Sequence, residues 1–330
     1  MTSEQKVAEL QRIIERELTP LINYDYVLWG VPYYMNIGDT LIWQGTLDFL
    51  SQLPHHCTGT CPWDAYPDGN LALEKETVIL VQGGGYFGDT WRDGWEMTLD
   101  GIKHYPDNPV IIMPQTIYYA DKTLLEQDKA LLSNMKRLTI CARDNVSYAF
   151  AQKHFSSFAR VILVPDMAFC ISTDRLRKWA IPSKDRSLYL KRMDKEATGA
   201  PSITLDTTTD VRDWPTIDNR GGGMLLTLSK ALYKFWWYEK NAPQGCLGYK
   251  LANWGMAQLF RPTLIRLGVR FVSGYRRVRT TRLHVLILSV LLGKDVVSED
   301  NSYGKLSSFY ETWLDDVDNV SIDCTAHGRD

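Results

Sequence analysis

The chain has 330 residues, enough for two domains of ordinary size. Its 37 Lys and Arg stand against 39 Asp and Glu, a net charge of −2, and 45% of its residues are apolar. That balance excludes a disordered chain, a coiled coil and a polybasic nucleic-acid binder, while leaving room for a local basic surface.

Residues 1–18 are charged and helical in period, without the apolar core of a secretion signal. The longest apolar run towards the C-terminus, His284 to Leu292, has nine residues, half of the ~18 that a membrane-spanning helix needs. Cys141 and Cys170 sit in strand-like apolar runs, as small buried thiols do. His55, His56, Cys57 and Cys61 form the one cluster suggesting a metal, but no second cysteine pair stands at zinc-site spacing. The reading is a reducing, cytoplasmic protein with no metal or resident cofactor.

Short apolar runs at 26–30, 78–81, 110–113, 138–141 and 161–164 predict strands, and residues 40–53, 94–103, 122–135 and 146–154 predict helices between them. Strands alternating with helices imply parallel pairing and right-handed crossovers, a doubly wound α/β domain. Residues 174–186, charged and containing Pro182, read as a linker. Strands at 188–190, 278–280 and 296–297, with helices from Leu283 and Lys305, restore the pattern, while residues 206–215 and Gly221-Gly222-Gly223 read as loop. The prediction is two doubly wound α/β domains facing across a cleft, residues 1–175 and 176–330, the second carrying a less regular helical stretch over 221–275.

Open parallel sheets bind ligands at the carboxyl ends of their strands, so the residues just after each run carry the chemistry. Gly83-Gly84-Gly85-Tyr86-Phe87-Gly88 matches the G-x-G-x-x-G of dinucleotide-binding loops, whose amides approach a phosphate. Asp89 and Asp93 set negative charge beside it, and the next strand run ends in Pro114-Gln115 where a ribose-binding acid belongs. The glycines are better explained by a tight turn or a backbone wall for a smaller ligand. Further on, Arg192 follows one strand run, and Arg282 and His284 stand where another turns into a helix. A helix N-terminus favours anions, arginine adds a planar fork for carboxylate or phosphate, and histidine exchanges protons near neutral pH. Two strand-end arginines in one domain suggest one small, strongly anionic ligand, the plain alternative being an ion pair for Arg282 and a packed or capping role for His284.

These motifs, in this order, resemble the polysaccharide pyruvyl transferase family: Asn36-Ile37-Gly38-Asp39, Gln82-Gly-Gly-Gly85 with Gly88-Asp89, Pro114-Gln115-Thr116, Arg143-Asp144 with Ser147, Arg192-x-Asp194-x-Glu196, Arg282-Leu283-His284 and the run from Asp300 to Lys305. The resemblance implies a fold like that of B-type glycosyltransferases and transfer of a pyruvyl group from phosphoenolpyruvate to two hydroxyls of a sugar, making a ketal. It places donor binding and proton transfer at Arg192, Arg282 and His284, the donor on the second domain and the acceptor on the first. Phosphoenolpyruvate carries a phosphate and a carboxylate, so Lys305 is a third candidate cation, and His284 is the candidate general acid and base. Asp39 would orient or deprotonate the acceptor, or else cap the helix that follows it. Asn36, Gly84, Gly85, Gln115 and Tyr303 complete the candidate substrate contacts. A nucleotide-sugar-dependent glycosyltransferase and a non-catalytic carbohydrate-binding protein are the rival readings; the chain's eleven Trp, seventeen Tyr and ten Phe suit a sugar surface as well as a core.

The family pattern does not account for residues 221–275. Residues 224–240 are amphipathic at helical period, with Leu225, Leu228 and Leu232 on one side and Thr227, Lys230 and Lys234 on another, and end in Trp236, Trp237 and Tyr238. Seven arginines follow between Arg261 and Arg282. A basic, aromatic face over 224–282 suits peripheral contact with a membrane bearing a lipid-linked acceptor; a helix packed on the second domain with a solvated basic side is the alternative.

Overall fold

Strands buried on both faces of a parallel sheet read as continuous apolar runs, and those runs become the strands of two sheets. A computed structural model of the chain describes residues 1–67, 69–191, 207–215, 223–242, 246–300 and 304–323. By packing, the chain divides into two units: an N unit of Ala8–Pro32 and Gly45–Cys170, and a C unit of Met1–Val7, Tyr33–Gln44 and Ile171–Asp330.

The N unit holds β1 (Tyr26–Val31), β2 (Cys57–Pro62), β3 (Val78–Val81), β4 (Gly84–Gly88), β5 (Pro109–Tyr118), β6 (Arg137–Ala142) and β7 (Arg160–Leu163). They form one parallel sheet in the order β2-β1-β3-β5-β6-β7. Ten-residue β5 pairs with β3 along its first half and with β4 along its second. Helices α3 (Arg92–Ile102), α4 (Lys122–Leu132) and α5 (Asn145–Phe155) cover the sheet over a core that includes Val27, Trp29, Ile79, Val81, Trp95 and Ile112. The G-x-G-x-x-G stretch is not a loop opening a helix. Gly84–Gly88 is β4 itself, and α3 starts only at Arg92. Gly88, at φ +125°, lies so near the Tyr118 carbonyl that a Cβ would stand 1.9 Å from that oxygen, so glycine is what lets β4 run beside β5.

The C unit holds β8 (Lys184–Leu190), β9 (Thr209–Arg212), β10 (Tyr275–Thr280), β11 (Asp295–Glu299) and β12 (Val320–Asp323), parallel in the order β12-β11-β10-β8-β9. Helices α9 (Arg261–Ser273), α10 (Leu283–Leu291) and α11 (Lys305–Trp313) pack on it. Two segments differ from their sequence reading: the linker at 174–186 is mostly α6 (Thr173–Trp179) and the start of β8, and the loop at 206–215 contains β9.

Residues 33–44, which the sequence reading places with the rest of 1–175, belong by packing to the C unit. They comprise the first part of α2 (Ile37–Leu50) and the turn before it. Tyr33 donates to Asn253 Oδ1 at 2.7 Å and meets Trp236 edge-on at 4.8 Å, while Ile37 packs on Gly268, where a Cβ would lie 2.6 Å from its methyl group. Long-range packing, invisible in local pattern, moves this turn out of the domain that precedes it in sequence.

Candidate functional site

In a doubly wound sheet the ligand crevice opens where successive connections reverse direction. In the C unit that switch point lies between the carboxyl ends of β8 and β10. Thr281 N–H donates to the Leu190 carbonyl at 3.2 Å and Thr280 Oγ1 to the same oxygen at 3.1 Å, joining the two strand ends. From there the chain enters α10 with Arg282 at its N-cap and His284 in its first turn. Arg192 follows β8 in sequence but, like Tyr303, lies outside the described residues.

Arg282 is forked on Asp213, Nε to Oδ1 at 2.5 Å and Nη2 to Oδ2 at 2.7 Å. Such a bidentate pair fixes the guanidinium plane at the mouth of α10. Asp213 follows β9 in a stretch with no motif to mark it, and sequence reading missed it.

His284 is half-buried and lies against Gly38. A Cβ on Gly38 would stand 2.6 Å from Nδ1, so the imidazole fills the space that a side chain there would take. The flanking residues form a closed turn. Asn36 Oδ1 accepts from the N–H groups of Gly38 (2.9 Å) and Asp39 (3.3 Å), making Asn36 the N-cap of α2. Asp39 is therefore not the cap. Its Oδ2 accepts from Asn36 Nδ2 at 2.6 Å and from Tyr34 hydroxyl at 2.9 Å, which aims the carboxylate. The structure thus brings Asn36, Asp39, Arg282 and His284 into one unit. Lys305, also there, is buried at the start of α11, where Asp300 caps the helix by accepting from Leu306 N–H at 3.0 Å.

Gly84, Gly85 and Gln115 lie in the N unit, at the carboxyl edge of its sheet. The switch point there falls between β1 and β3, and Gln82 directly follows β3. Gln115 Nε2 donates to the Gln82 carbonyl at 3.0 Å, and Tyr86 hydroxyl donates to the same oxygen at 2.7 Å. Gln82 and Gln115 are buried, and among the described residues neither side-chain carbonyl oxygen accepts a hydrogen bond. A buried unsatisfied acceptor costs about 1–3 kcal/mol, which a ligand donor would recover. Gln82 opens the glycine motif, the signal that could have placed it among the site residues.

The other N-unit motifs are architectural. Arg143 and Asp166, both fully buried, pair at 2.7 Å, and Arg143 Nε donates to Thr116 Oγ1 at 2.9 Å. Thr116 Oγ1 donates to Asp144 at 3.2 Å, Asp144 accepts from Ser147 N–H at 2.8 Å, and Ser147 Oγ accepts from Ile117 N–H at 2.9 Å. This network ties together the carboxyl ends of β5, β6 and β7. Asp89 accepts from Ala120 and Asp121 N–H at 2.5 and 2.8 Å and so is a loop clamp. A depression of about 450 Å³ at the opposite edge, lined by Pro109, Arg137 and Arg160 at the starts of β5, β6 and β7, is remote from every motif residue. Among the described residues no three His, Cys, Asp or Glu side chains gather where they could hold a metal.

Two doubly wound parallel sheets, each with polar motif residues at its switch point, define an α/β protein of Rossmann-like character. Residues 36–303 match the profile of polysaccharide pyruvyl transferases, and the chain belongs to that family. It is 30% identical to EpsO of Bacillus subtilis, provisionally named a pyruvyl transferase, over 97% of this chain and 92% of that one. It is 27% identical to pyruvyl transferase 1 of Schizosaccharomyces pombe over 89% of this chain and 71% of that one. A crystal structure of a functionally uncharacterised protein from Klebsiella pneumoniae shares the fold, with a TM-score of 0.62 at 20% identity, covering 95% of this chain and 98% of that one.

Proposed function

We propose that this protein transfers a pyruvyl group from phosphoenolpyruvate to two hydroxyls of a sugar, releasing phosphate and leaving a pyruvate ketal, in the biosynthesis of a polysaccharide. The observation that carries the reading is the meeting of His284, at the mouth of α10 beside Arg282, with the Asn36–Asp39 turn through Gly38. The two sheets are the components of the B-type glycosyltransferase architecture, which we adopt for this chain.

Phosphoenolpyruvate brings a carboxylate and a phosphate. Arg282, Lys305 and the positive end of α10 supply charge for both, with Arg192 as a further anchor by sequence. The enol carbon C3 takes a proton from His284, and the first sugar hydroxyl adds to C2, giving up its proton to the histidine or to Asp39. Phosphate then departs with the C–O bonding pair, and the second hydroxyl closes the ketal at C2, its proton leaving with phosphate. One diol and one phosphoenolpyruvate thus become one ketal and one phosphate. Negative charge builds on the leaving phosphate, where fixed cationic groups lower the barrier most, while the positive charge at C2 is offset by the substrate's own carboxylate. The side-chain carbonyls of Gln82 and Gln115, without a donor among the described residues, support the N unit as the acceptor side, since sugar hydroxyls are hydrogen-bond donors.

Calorimetry with phosphoenolpyruvate, with uridine diphosphate as control, tests the donor. Phosphoenolpyruvate binding that is lost in Arg282→Ala supports the reading. Binding of the nucleotide instead would replace it with nucleotide-sugar transfer, and binding of neither would remove the donor assignment.

A further inference from the structure

Surface helices of globular proteins bury one apolar stripe and wet the other face. In the C unit, α7 (Gly223–Glu239) and α8 (Leu247–Gly255) depart from that rule. α7 buries Leu226, Ser229 and Trp236 and leaves Leu225 and Leu232 half-buried. Its opposite face exposes Leu228, Phe235 and Tyr238 at helical spacing. α8 buries Tyr249 and Ala252, while Leu247, Leu251 and Trp254 form its exposed stripe. The two helices pack against each other, so the stripes lie on neighbouring helices. Among the described residues, nine of the sixteen exposed large hydrophobic side chains fall between Met224 and Leu259, far denser than the scatter usual on a protein surface.

Charge names the occupant. Between residues 224 and 270 the sequence has seven Lys and Arg against a single acid, Glu239, in a chain whose overall net charge is −2. Lys234, Lys250, Arg266 and Arg270 are exposed. Lys240 Nζ stands 3.8 Å from the ring centre of exposed Trp237, and Lys234 Nζ 5.9 Å from that of Tyr238. Tryptophan and tyrosine with basic neighbours around an apolar stripe are the chemistry of the headgroup layer of an anionic bilayer. A second copy of this chain fits less well, because a two-fold contact would set this basic patch against itself and lysine is depleted in such interfaces. Among the described residues no helix is long and apolar enough to cross a membrane.

We propose that α7 and α8 dock this protein on an anionic phospholipid surface, lying in the plane of the headgroups with Leu228, Phe235, Leu251 and Trp254 in the acyl boundary and the lysines at the phosphates. The docking holds whatever reaction the C unit catalyses, and its test reads lipid partition rather than turnover.

The test is cosedimentation of the full chain with vesicles of phosphatidylcholine, alone or mixed equally with phosphatidylglycerol. The mixed vesicles are expected to bind roughly ten-fold or more tightly, and raised salt to weaken them. Leu251→Ser with Trp254→Ser should lower that affinity by about ten-fold, and Lys234→Glu with Lys250→Glu by as much, with thermal melting unchanged in both. No binding to either vesicle would overturn the proposal, as would binding that neither pair of substitutions reduces. It would equally fall if sedimentation without lipid showed a dimer that Leu251→Ser with Trp254→Ser dissolves while vesicle binding stayed intact.

Discussion

Replacing Gly38 by alanine would test the contact on which the candidate site turns. The new Cβ would stand 2.6 Å from His284 Nδ1, 3.0 Å from Cγ and 3.1 Å from Cβ, whereas ordinary contact begins near 3.4 Å. The imidazole or the first turn of α2 must therefore retreat by about 0.8 Å at its nearest atom. Overpacking of this kind costs about 1–3 kcal/mol. Alanine returns about 0.5–1 kcal/mol in a helix interior, and less in its first turn. The expected net loss is about 0.5–2 kcal/mol, read as a lower urea midpoint. Because a displacement near 1 Å at a reacting group can cost about 100-fold, kcat/KM should fall by about 10- to 100-fold while far-UV circular dichroism stays unchanged. The decisive arm is the double-mutant cycle. With His284→Ala the ring is gone and only the Cβ contact at 3.1 Å remains, so Gly38→Ala should become neutral or slightly stabilising there. The same stability penalty in both backgrounds would refute the reasoning and place the cost in the helix backbone.

Three further outcomes follow from the structure. Arg143→Met leaves the fully buried Asp166 carboxylate without its cation and should cost about 3–5 kcal/mol, seen as a large fall in melting temperature; adding Asp166→Leu should restore much of it, and an unchanged melting temperature in the single variant would exclude a structural role for the pair. Arg282→Lys keeps the charge but not the fork held by Asp213, so phosphoenolpyruvate affinity by calorimetry should drop about ten-fold, and an unchanged affinity would show that a point charge suffices. The Asp210 carboxyl is held below the carboxylate range, first by Arg186 and then by the Tyr275 hydroxyl and Lys184. A depressed carboxyl contributes stability above its unfolded value near 4 and loses it as pH falls through the folded one, so Asp210→Asn should flatten the decline of the urea midpoint below about pH 4, and an identical acid limb would discount the cluster.

Local sequence was enough for the α/β class and for most central strands. The apolar runs that become β1, β3, β5 and β6 are buried on both faces, so composition alone marks them. It failed at β2, β9 and β12, and the reason is shared. Each is the edge of its sheet, paired on one side only, and each is polar or glycine-bearing, as edges tend to be. β4 was hidden by its glycines, which read as a loop until a partner strand is beside them.

The candidate site divides in the same way. That Arg282 and His284 open a helix after a strand, and that Asn36 and Asp39 open another, is local information carried by residue type and order. That Gly38 seats His284, that Asp213 forks Arg282, that Tyr34 and Asn36 aim Asp39, and that the side-chain carbonyls of Gln82 and Gln115 lack donors among the described residues is not local. Such partners are set by which elements pack together, and here packing assigns residues 33–44 to the unit of the chain's second half. The two apolar faces of α7 show the same limit, since helical period marks which residues share a face but only neighbouring elements decide which face is buried.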